Sequence, residues 1–564
     1  MLHAAPLITT IATALGLAVV LGVVAVRLKL PALVGYLLAG ILIGPFTPGF
    51  VADTAIASEL AEIGVMLLMF GVGLHFSLND LMEVRKIAVP GAVLQIAVAS
   101  ALGAGVATAW GWGLGGALVF GLALSVASTV VLLRALEVGG VLESMNGRIA
   151  VGWLIVEDLA MVLVLVLLPA AAGWLGGSTP HSEGGNLWWT LGTTLLAVAA
   201  FIALMLVVGR RVFPALLWQV ARTGSRELFT LCVVAAAVSI AYAASVLFGV
   251  SFALGAFFAG MVLRESEFSH RAAEESLPLR EAFAVLFFVS VGMLFDPKVL
   301  IEQPLQVLAV VGIIVIGKSI AAAAVVLAFR YPLSTALTVS ASLAQIGEFS
   351  FILAGLGVGL GLLPVEGQSL ILAGALISIA LNPLVFAGVK PLKSWIRSNS
   401  TLVSMLEKSG DPLSELPMST DEKYLAGQVV LVGYGRVGRR IADALSAQGI
   451  PFVIAEENRE RVEWLRANGM AAVSGDACDP AVLIQAHIAR ASMLVVAAPD
   501  TFDVRQMLKT ARTLNPGVVT IVRTHTEEEA GMLEREAAEK VFFGEEELAK
   551  GMIRHVLERY GKAH

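Results

Sequence analysis

Cysteine is nearly absent. The chain has two, Cys232 and Cys478, in 564 residues; one lies in an apolar stretch and one in a polar stretch. That excludes a disulfide framework and suits a reducing compartment for the polar part. Charge is scarce as well: 15% of residues are charged against 57% hydrophobic, and the mean hydropathy is +0.84. Such a composition excludes a soluble enzyme and describes an integral membrane protein. The net charge of -6 averages a membrane part with an acidic soluble part, so it says little about partners, and no nucleic-acid partner is expected. A removable signal peptide is not expected, because Leu7 to Val26 follows an uncharged start and lacks a small-residue cleavage site before Arg27.

What the chain does have is long apolar runs. Thirteen occur, at about 7–26, 32–49, 56–75, 88–110, 114–134, 148–171, 187–209, 228–247, 251–263, 280–296, 304–329, 334–360 and 368–388. Taken alternately, one set of connecting loops carries nearly all the basic residues, among them Arg27, Lys29, Arg210, Arg211, Lys390 and Lys393, and the other set carries only Lys298. The positive-inside rule then puts the N-terminus outside and everything after Lys390 in the cytoplasm, in a multi-pass membrane protein.

Glu157 and Asp158 stand in the middle of the apolar run Gly147 to Val164. A carboxylate at that depth needs water, a counter-ion or a partner, so it marks an ion or proton path. The run around Leu60-Ala61-Glu62-Ile63-Gly64 reads like Leu279-Arg280-Glu281-Ala282-Phe283, and Leu38-Ala39-Gly40 mirrors Phe258-Ala259-Gly260. These are the second and ninth, and the third and tenth, apolar runs; a shift of seven is odd, so the two units lie upside down relative to each other. Inverted repeats with a mid-membrane site on interrupted helices characterise secondary transporters; shared Gly- and Leu-rich composition is the plainer account of the likeness. An offset of 219 residues takes Ser128-Thr129 onto Gly347-Glu348, with Gln345 close by. Polar residues beside helix-weakening Gly or Ser are what broken, crossing helices need. The alternative for Ser128 and Thr129 is a hydrogen bond back to their own helix. Lys318 is the one basic residue well inside a run and needs Glu157, Asp158 or Glu348, either as a static ion pair or as a partner that the transported cation or proton displaces. Glu62 and Glu281 are expected near span ends, reaching interfacial water.

After a polar stretch at 398–425, expected as a linker, Val429-Val430-Leu431-Val432 runs into Gly433-Tyr434-Gly435-Arg436-Val437-Gly438 and then a helix, with Glu456 ending the next strand. The glycines permit a tight turn and a phosphate at the helix start, and the acid accepts ribose hydroxyls. Further strands at about 471–473, 493–497, 518–522 and 540–543 give a doubly wound parallel sheet over 426–564. Asp476 and Ala477 after the third strand, and Pro499-Asp500 after the fourth, are placed on the same ligand-facing edge. A nucleotide fold that has lost its ligand is the other reading of this part. Glu456 disfavours a 2′-phosphate. No structural metal is expected.

Nearly the whole chain resembles the bacterial monovalent cation:proton antiporters of the second family, in the Kef-type potassium/proton branch and among its YbaL-like members. The resemblance rests on Gly152-Trp153-Leu154-Ile155-Val156-Glu157-Asp158, on Leu343-Ala344-Gln345-Ile346-Gly347-Glu348-Phe349, on Val285 to Met293, and on the C-terminal part. It implies thirteen spans over 1–397, with two crossing broken helices, followed by an RCK N (TrkA-N) domain. It also implies Asp158 as the carboxylate that binds proton and monovalent cation (K+ or Na+) in turn, AMP, ATP or NAD(H) on the cytoplasmic domain, and a homodimer formed through both parts. The chain would then be a secondary active transporter and not an enzyme. Glu157 departs from the Gln usual in this branch. Ser269 to Pro278 is similar to the loop through which the Kef tail restrains transport, with a different acidic pattern, so glutathione control does not carry over. Two rival functions are weighed. A ligand-gated potassium channel shares the C-terminal domain, but no Thr-Val-Gly-Tyr-Gly filter occurs. A membrane NAD(H) oxidoreductase would want a second substrate domain and a Cys or His pair placed for chemistry.

Overall fold

The computed structural model describes residues 6–75, 78–138, 141–142, 144–177, 187–264, 266, 269–398, 413, 415–417, 420–497, 501–524, 527–535 and 538–560. The chain folds into two units, one helical and ending at Ser398, the other α/β.

The helical unit begins with α1 (Pro6–Arg27), α2 (Ala32–Ile43), α3 (Thr54–His75) and α4 (Leu78–Ala109). Next come α5 (Leu114–Ser125) and α6 (Thr129–Val138), the two halves of one interrupted span, and then α7 (Met145–Ala171). Helix α8 (Leu187–Leu204) passes through a π turn at Met205–Gly209 into α9 (Arg210–Ala221), and is followed by α10 (Arg226–Phe248), α11 (Phe252–Arg264) and α12 (Ser269–Met293). After the single turn α13 (Val299–Glu302), α14 (Pro304–Gly312) continues through a π turn at Ile313–Gly317 into α15 (Lys318–Ala328). A second interrupted pair, α16 (Leu333–Leu343) and α17 (Glu348–Gly359), precedes α18 (Val365–Ser398).

Each of the thirteen apolar runs holds a helix or a broken pair. Among the described residues, ten stretches are long and apolar enough to cross a membrane, α16 and α17 form a pair bent by 45°, and α2 and α11 are shorter apolar helices. Those two are the second and ninth runs, so the short elements are themselves a repeat pair. Helix α2 stops at Ile43 rather than running to 49, because Gly44 turns extended before Pro45, which disfavours a helical residue ahead of it. The stretch Ser269 to Pro278, a loop by resemblance, forms the first turns of α12. Arg210 and Arg211, expected in a loop, begin α9 inside a continuous helical stretch.

The repeat is visible in packing. A side chain on Gly40 of α2 would overlap the Val289 carbonyl of α12, and one on Gly292 of α12 would overlap the Leu37 carbonyl of α2. Likewise Gly73 of α3 lies on the Phe257 carbonyl of α11, and Gly260 of α11 on the Phe70 carbonyl of α3. The repeat takes Gly40 to Gly260 and Gly73 to Gly292, so it exchanges one close contact with the other. Small residues that let backbones touch are the usual means of joining helices in lipid, where no hydrophobic force does it.

In the α/β unit β1 (Val429–Val432) leads to α19 (Arg436–Ala447), β2 (Phe452–Glu456), α20 (Arg459–Ala467), β3 (Ala472–Ser474), α21 (Pro480–Gln485) and β4 (Met493–Val496). Helix α22 (Thr501–Leu514), β5 (Val519–Thr524), α23 (Glu527–Arg535), β6 (Lys540–Phe543) and α24 (Gly544–Tyr560) complete it. All five strand pairings are parallel, in the order β3-β2-β1-β4-β5-β6, the doubly wound sheet expected. Its ligand crevice lies outside the carboxyl ends of β1 and β4, where the strand order reverses. Part of the stretch expected as linker is tied to the far edge of the sheet: Ser474 N–H donates to the Leu413 carbonyl at 2.7 Å, and the Arg466 guanidinium donates to the carbonyls of Leu413, Glu415 and Ala472.

Gly40→Ala is expected to force α2 away from α12 at a cost of about 1–3 kcal/mol, seen as a lower unfolding temperature in detergent; an unchanged temperature would show that the two helices can separate freely.

Candidate functional site

Two helix breaks meet inside the helical unit. Helix α5 ends because Val126 is extended (φ -93°, ψ 136°), and α17 starts after Gly347, also extended (φ -145°, ψ -148°). A side chain on Gly347 would overlap Ser128, so the crossing requires glycine there. Gln345 fastens it: its Oε1 accepts from Ser128 N–H at 2.9 Å and its Nε2 donates to the Ser128 carbonyl at 3.1 Å. One side-chain amide thus satisfies the Ser128 N–H, which has left the α5 ladder, and adds a second bond to the Ser128 carbonyl, which also accepts from Leu132 N–H of α6 at 3.1 Å.

The carboxylates gather at this crossing. Glu157 and Asp158, adjacent on α7, are both buried. Glu157 Oε2 accepts from Ala127 N–H at 2.8 Å. Asp158 Oδ2 accepts from Thr129 Oγ1 at 3.3 Å, and Glu348 Oε2 accepts from Ser128 Oγ at 3.0 Å. Ser128 and Thr129 therefore reach across to acids on other helices, and Ser128 also bonds within its own helix, its Oγ accepting from Val131 N–H at 3.4 Å. Asp158 Oδ1 and Glu157 Oε1 are buried and have no hydrogen-bond partner. Lys318, fully buried, follows the π turn at Ile313–Gly317; such turns recur at functional sites. Its Nζ donates to the Gln345 carbonyl at 3.1 Å. Of the three candidate partners, Glu157 is the one whose charge acts on Lys318, without an ion pair within 4 Å between them, and Asp158 stands near the acids Glu348 and Glu157. Glu62 and Glu281 are exposed, and Glu281 lies well inside α12 rather than at its end. Gln95 of α4 carries no motif; fully buried, it donates its Nε2 to the Ser125 carbonyl at 2.9 Å. Its signal in the sequence is a lone amide in an apolar run, about one helical turn from the position that the repeat offset relates to Lys318.

In the α/β unit the glycine loop is built as expected. Gly433 has φ +87°, and a side chain on Gly438 would overlap the Gly433 carbonyl, whereas Gly435 faces open space with Arg436 exposed and Val437 half-buried beside it. The unpaired N–H groups at the start of α19 suit a phosphate. Glu456 is more occupied than a ribose acceptor needs to be: it accepts from Tyr434 N–H at 2.6 Å and Asn458 N–H at 3.0 Å, and Arg461 lies 3.5 Å away. Each of its oxygens keeps a further lone pair for a hydroxyl. Asp476 Oδ1 accepts from Cys478 N–H at 2.8 Å. The Ala477 side chain belongs to the core, so Ala477 can meet a ligand only through its backbone. Pro499 and Asp500 lie outside the described residues.

Halves meeting at two broken helices around buried acids are an arrangement found in membrane transporters. A model of the transmembrane sodium/hydrogen exchanger family matches residues 13–389, and one of the TrkA-N domain matches residues 429–544. The putative cation/proton antiporter YbaL of Escherichia coli is 52% identical over 98% of this chain and 97% of its own length. The glutathione-regulated potassium-efflux system protein KefC of Cronobacter sakazakii is 30% identical over 90% and 78%. The sodium proton antiporter MjNhaP1 of Methanocaldococcus jannaschii has the same fold over 72% of this chain and 99% of its own, with a TM-score of 0.52 at 16% identity. The chain belongs to the sodium/hydrogen exchanger family, in the Kef-type branch of the monovalent cation:proton antiporters, and ends in a TrkA-N domain.

Gly347→Ala is expected to separate the two breaks and abolish cation-dependent proton movement while the protein still reaches the membrane; full activity would show that the crossing is not needed.

Proposed function

We propose that the chain exchanges a monovalent cation, potassium by preference, for protons across a bacterial inner membrane, with Asp158 holding one or the other and the inverted halves exposing it to each side in turn. The observation that carries this reading is the Asp158 carboxylate: buried, held on one oxygen by Thr129, unpartnered on the other, and set at the crossing of two broken helices. A dry acid with one free oxygen can take a proton or a cation, and competition between the two is sufficient for exchange. Thr129 and the half-helix ends are placed to help coordinate the cation. Ser128, Gln345 and Glu348 hold the crossing. Glu157, opposite Lys318, is a second acid that changes how charge is balanced during a cycle. Potassium is favoured by the relatives whose names refer to potassium efflux.

The α/β unit is read as a cytoplasmic regulator that binds AMP, ATP or NAD(H) through Gly433 to Gly438, Glu456 and the backbone at Asp476 and Ala477. The basic loops support the topology, with the N-terminus outside and the C-terminal domain inside. The working unit is a homodimer.

In proteoliposomes with a pH-sensitive dye, the parent protein is expected to give cation-driven proton flux, and Asp158→Asn none above empty liposomes. Voltage-driven potassium flux without proton movement would instead support the ligand-gated channel, and retained exchange in Asp158→Asn would remove that residue from the mechanism. Glu157→Gln should keep exchange with an altered pH profile or ion selectivity; unchanged values would make Glu157 a bystander. Calorimetric titration of the full-length protein with AMP, ATP and NADH should give saturable binding of at least one, lost in Gly435→Asp, whose acid meets the phosphate; no binding by any of the three removes the regulatory reading.

A further inference from the structure

The break between α5 and α6 is gripped at three neighbouring places. Gln345 takes the N–H and carbonyl of Ser128, Glu157 takes the Ala127 N–H, and Gln95 takes the Ser125 carbonyl. The first two grips come from the site already described. The third comes from α4, and its counterpart on the other break is Lys318, which donates to the Gln345 carbonyl. Helices α4 and α14–α15 are the fourth and eleventh apolar runs, related by the same shift of seven. Ser125 and Gln345 both stand where the first half of a broken span gives out. A half-helix ends in unpaired carbonyls at the negative end of its dipole. Each such end is met here by one buried donor from the preceding span, neutral on one break and charged on the other.

Gln95 and Glu157 hold the same break, two residues apart, at the Ser125 carbonyl and the Ala127 N–H. Gly152 of α7 lies against Val84 and Ala88 of α4, and the Trp153 ring lies against Gly91. One turn further along both helices come Gln95 and Glu157. Both are fully buried, and each keeps one oxygen, Gln95 Oε1 and Glu157 Oε1, without a hydrogen-bond partner. An unpaired acceptor in a dry interior is a cost that an apolar side chain of the same length avoids, so packing does not explain an amide here.

We propose that Gln95 is a positioning residue for the exchange reaction, the uncharged counterpart of Lys318, which holds the α5 end so that Ala127 meets Glu157. Because Gln95 is neutral, Glu157, Asp158 and Glu348 face a single fixed positive charge, and the transported cation and protons supply the remainder. This rests on the exchange reading, and the test separates the two.

Cation-driven proton flux is measured in proteoliposomes for the parent, Gln95→Met, Gln95→Lys, Glu157→Gln and the double variant Gln95→Met/Glu157→Gln. Gln95→Met keeps the length and loses the donor; its half-saturating cation concentration should rise about tenfold, the equivalent of one buried hydrogen bond, and the midpoint of its pH profile should move. In the Glu157→Gln background the same change should move neither by more than about twofold, since Gln95 acts through Glu157. Gln95→Lys, which keeps a donor and adds a charge, should also raise the half-saturating concentration. A parent without exchange would overturn the exchange reading itself. An exchanging parent with Gln95→Met matching it in half-saturation and pH midpoint, or with Gln95→Met shifting equally with and without Glu157, would overturn the positioning role alone. If Gln95→Met does not accumulate in the membrane, unchanged half-saturation in Gln95→Lys overturns the role; if neither accumulates, Gln95 serves folding only and the role is likewise overturned.

Discussion

Two segments of the chain interrupt their helices at the same place, and a side-chain amide ties them together. Everything else in the helical unit depends on that arrangement. A break in a spanning helix leaves backbone groups unpaired within the bilayer, and Gln345 takes up the Ser128 N–H while adding a bond to the Ser128 carbonyl that α6 already uses. The close approach is possible only because residue 347 has no side chain. Once the crossing exists, the ends of the four half-helices place partial charges in the interior, and the buried acids and Lys318 become tolerable there because those ends meet them.

The acids divide the work through their partners. Glu157 shares its surroundings with Lys318 and is fastened to Ala127, so it belongs to the frame of the break. Asp158 has only a hydroxyl on one oxygen and like charges nearby, which makes it the group most in need of a positive partner. One residue of separation along α7 thus gives two neighbouring carboxylates different environments.

Much of this was legible in the sequence, because a charge in an apolar run is visible without a structure: Glu157, Asp158, Lys318 and Glu348 all stand out, and the repeat offset links Ser128-Thr129 to Gly347-Glu348. The glycine loop and the doubly wound sheet of the α/β unit followed from spacing in the same way. Gln95 did not stand out, since its importance lies in a bond to a carbonyl on another helix and no residue pattern encodes that. Helix ends were less legible than helix existence: Ser269 to Pro278 is polar and contains proline, yet it continues into α12 as helix. Glu456 was placed correctly at the end of β2, but its bonds to Tyr434 and Asn458 depend on how two loops approach each other. Ala477 could be assigned to the ligand edge only by position, and its methyl turned out to belong to the core.

The glycine contacts that join α2 to α12 and α3 to α11 place backbone directly on backbone. A seam of that kind contains no rotamers, so it cannot loosen by degrees; it either holds its spacing or comes apart. Four helices riveted in this way make a stator, and any excursion that carries Asp158 from one face of the bilayer to the other has to be taken up elsewhere, along surfaces where side chains can slide and reseat.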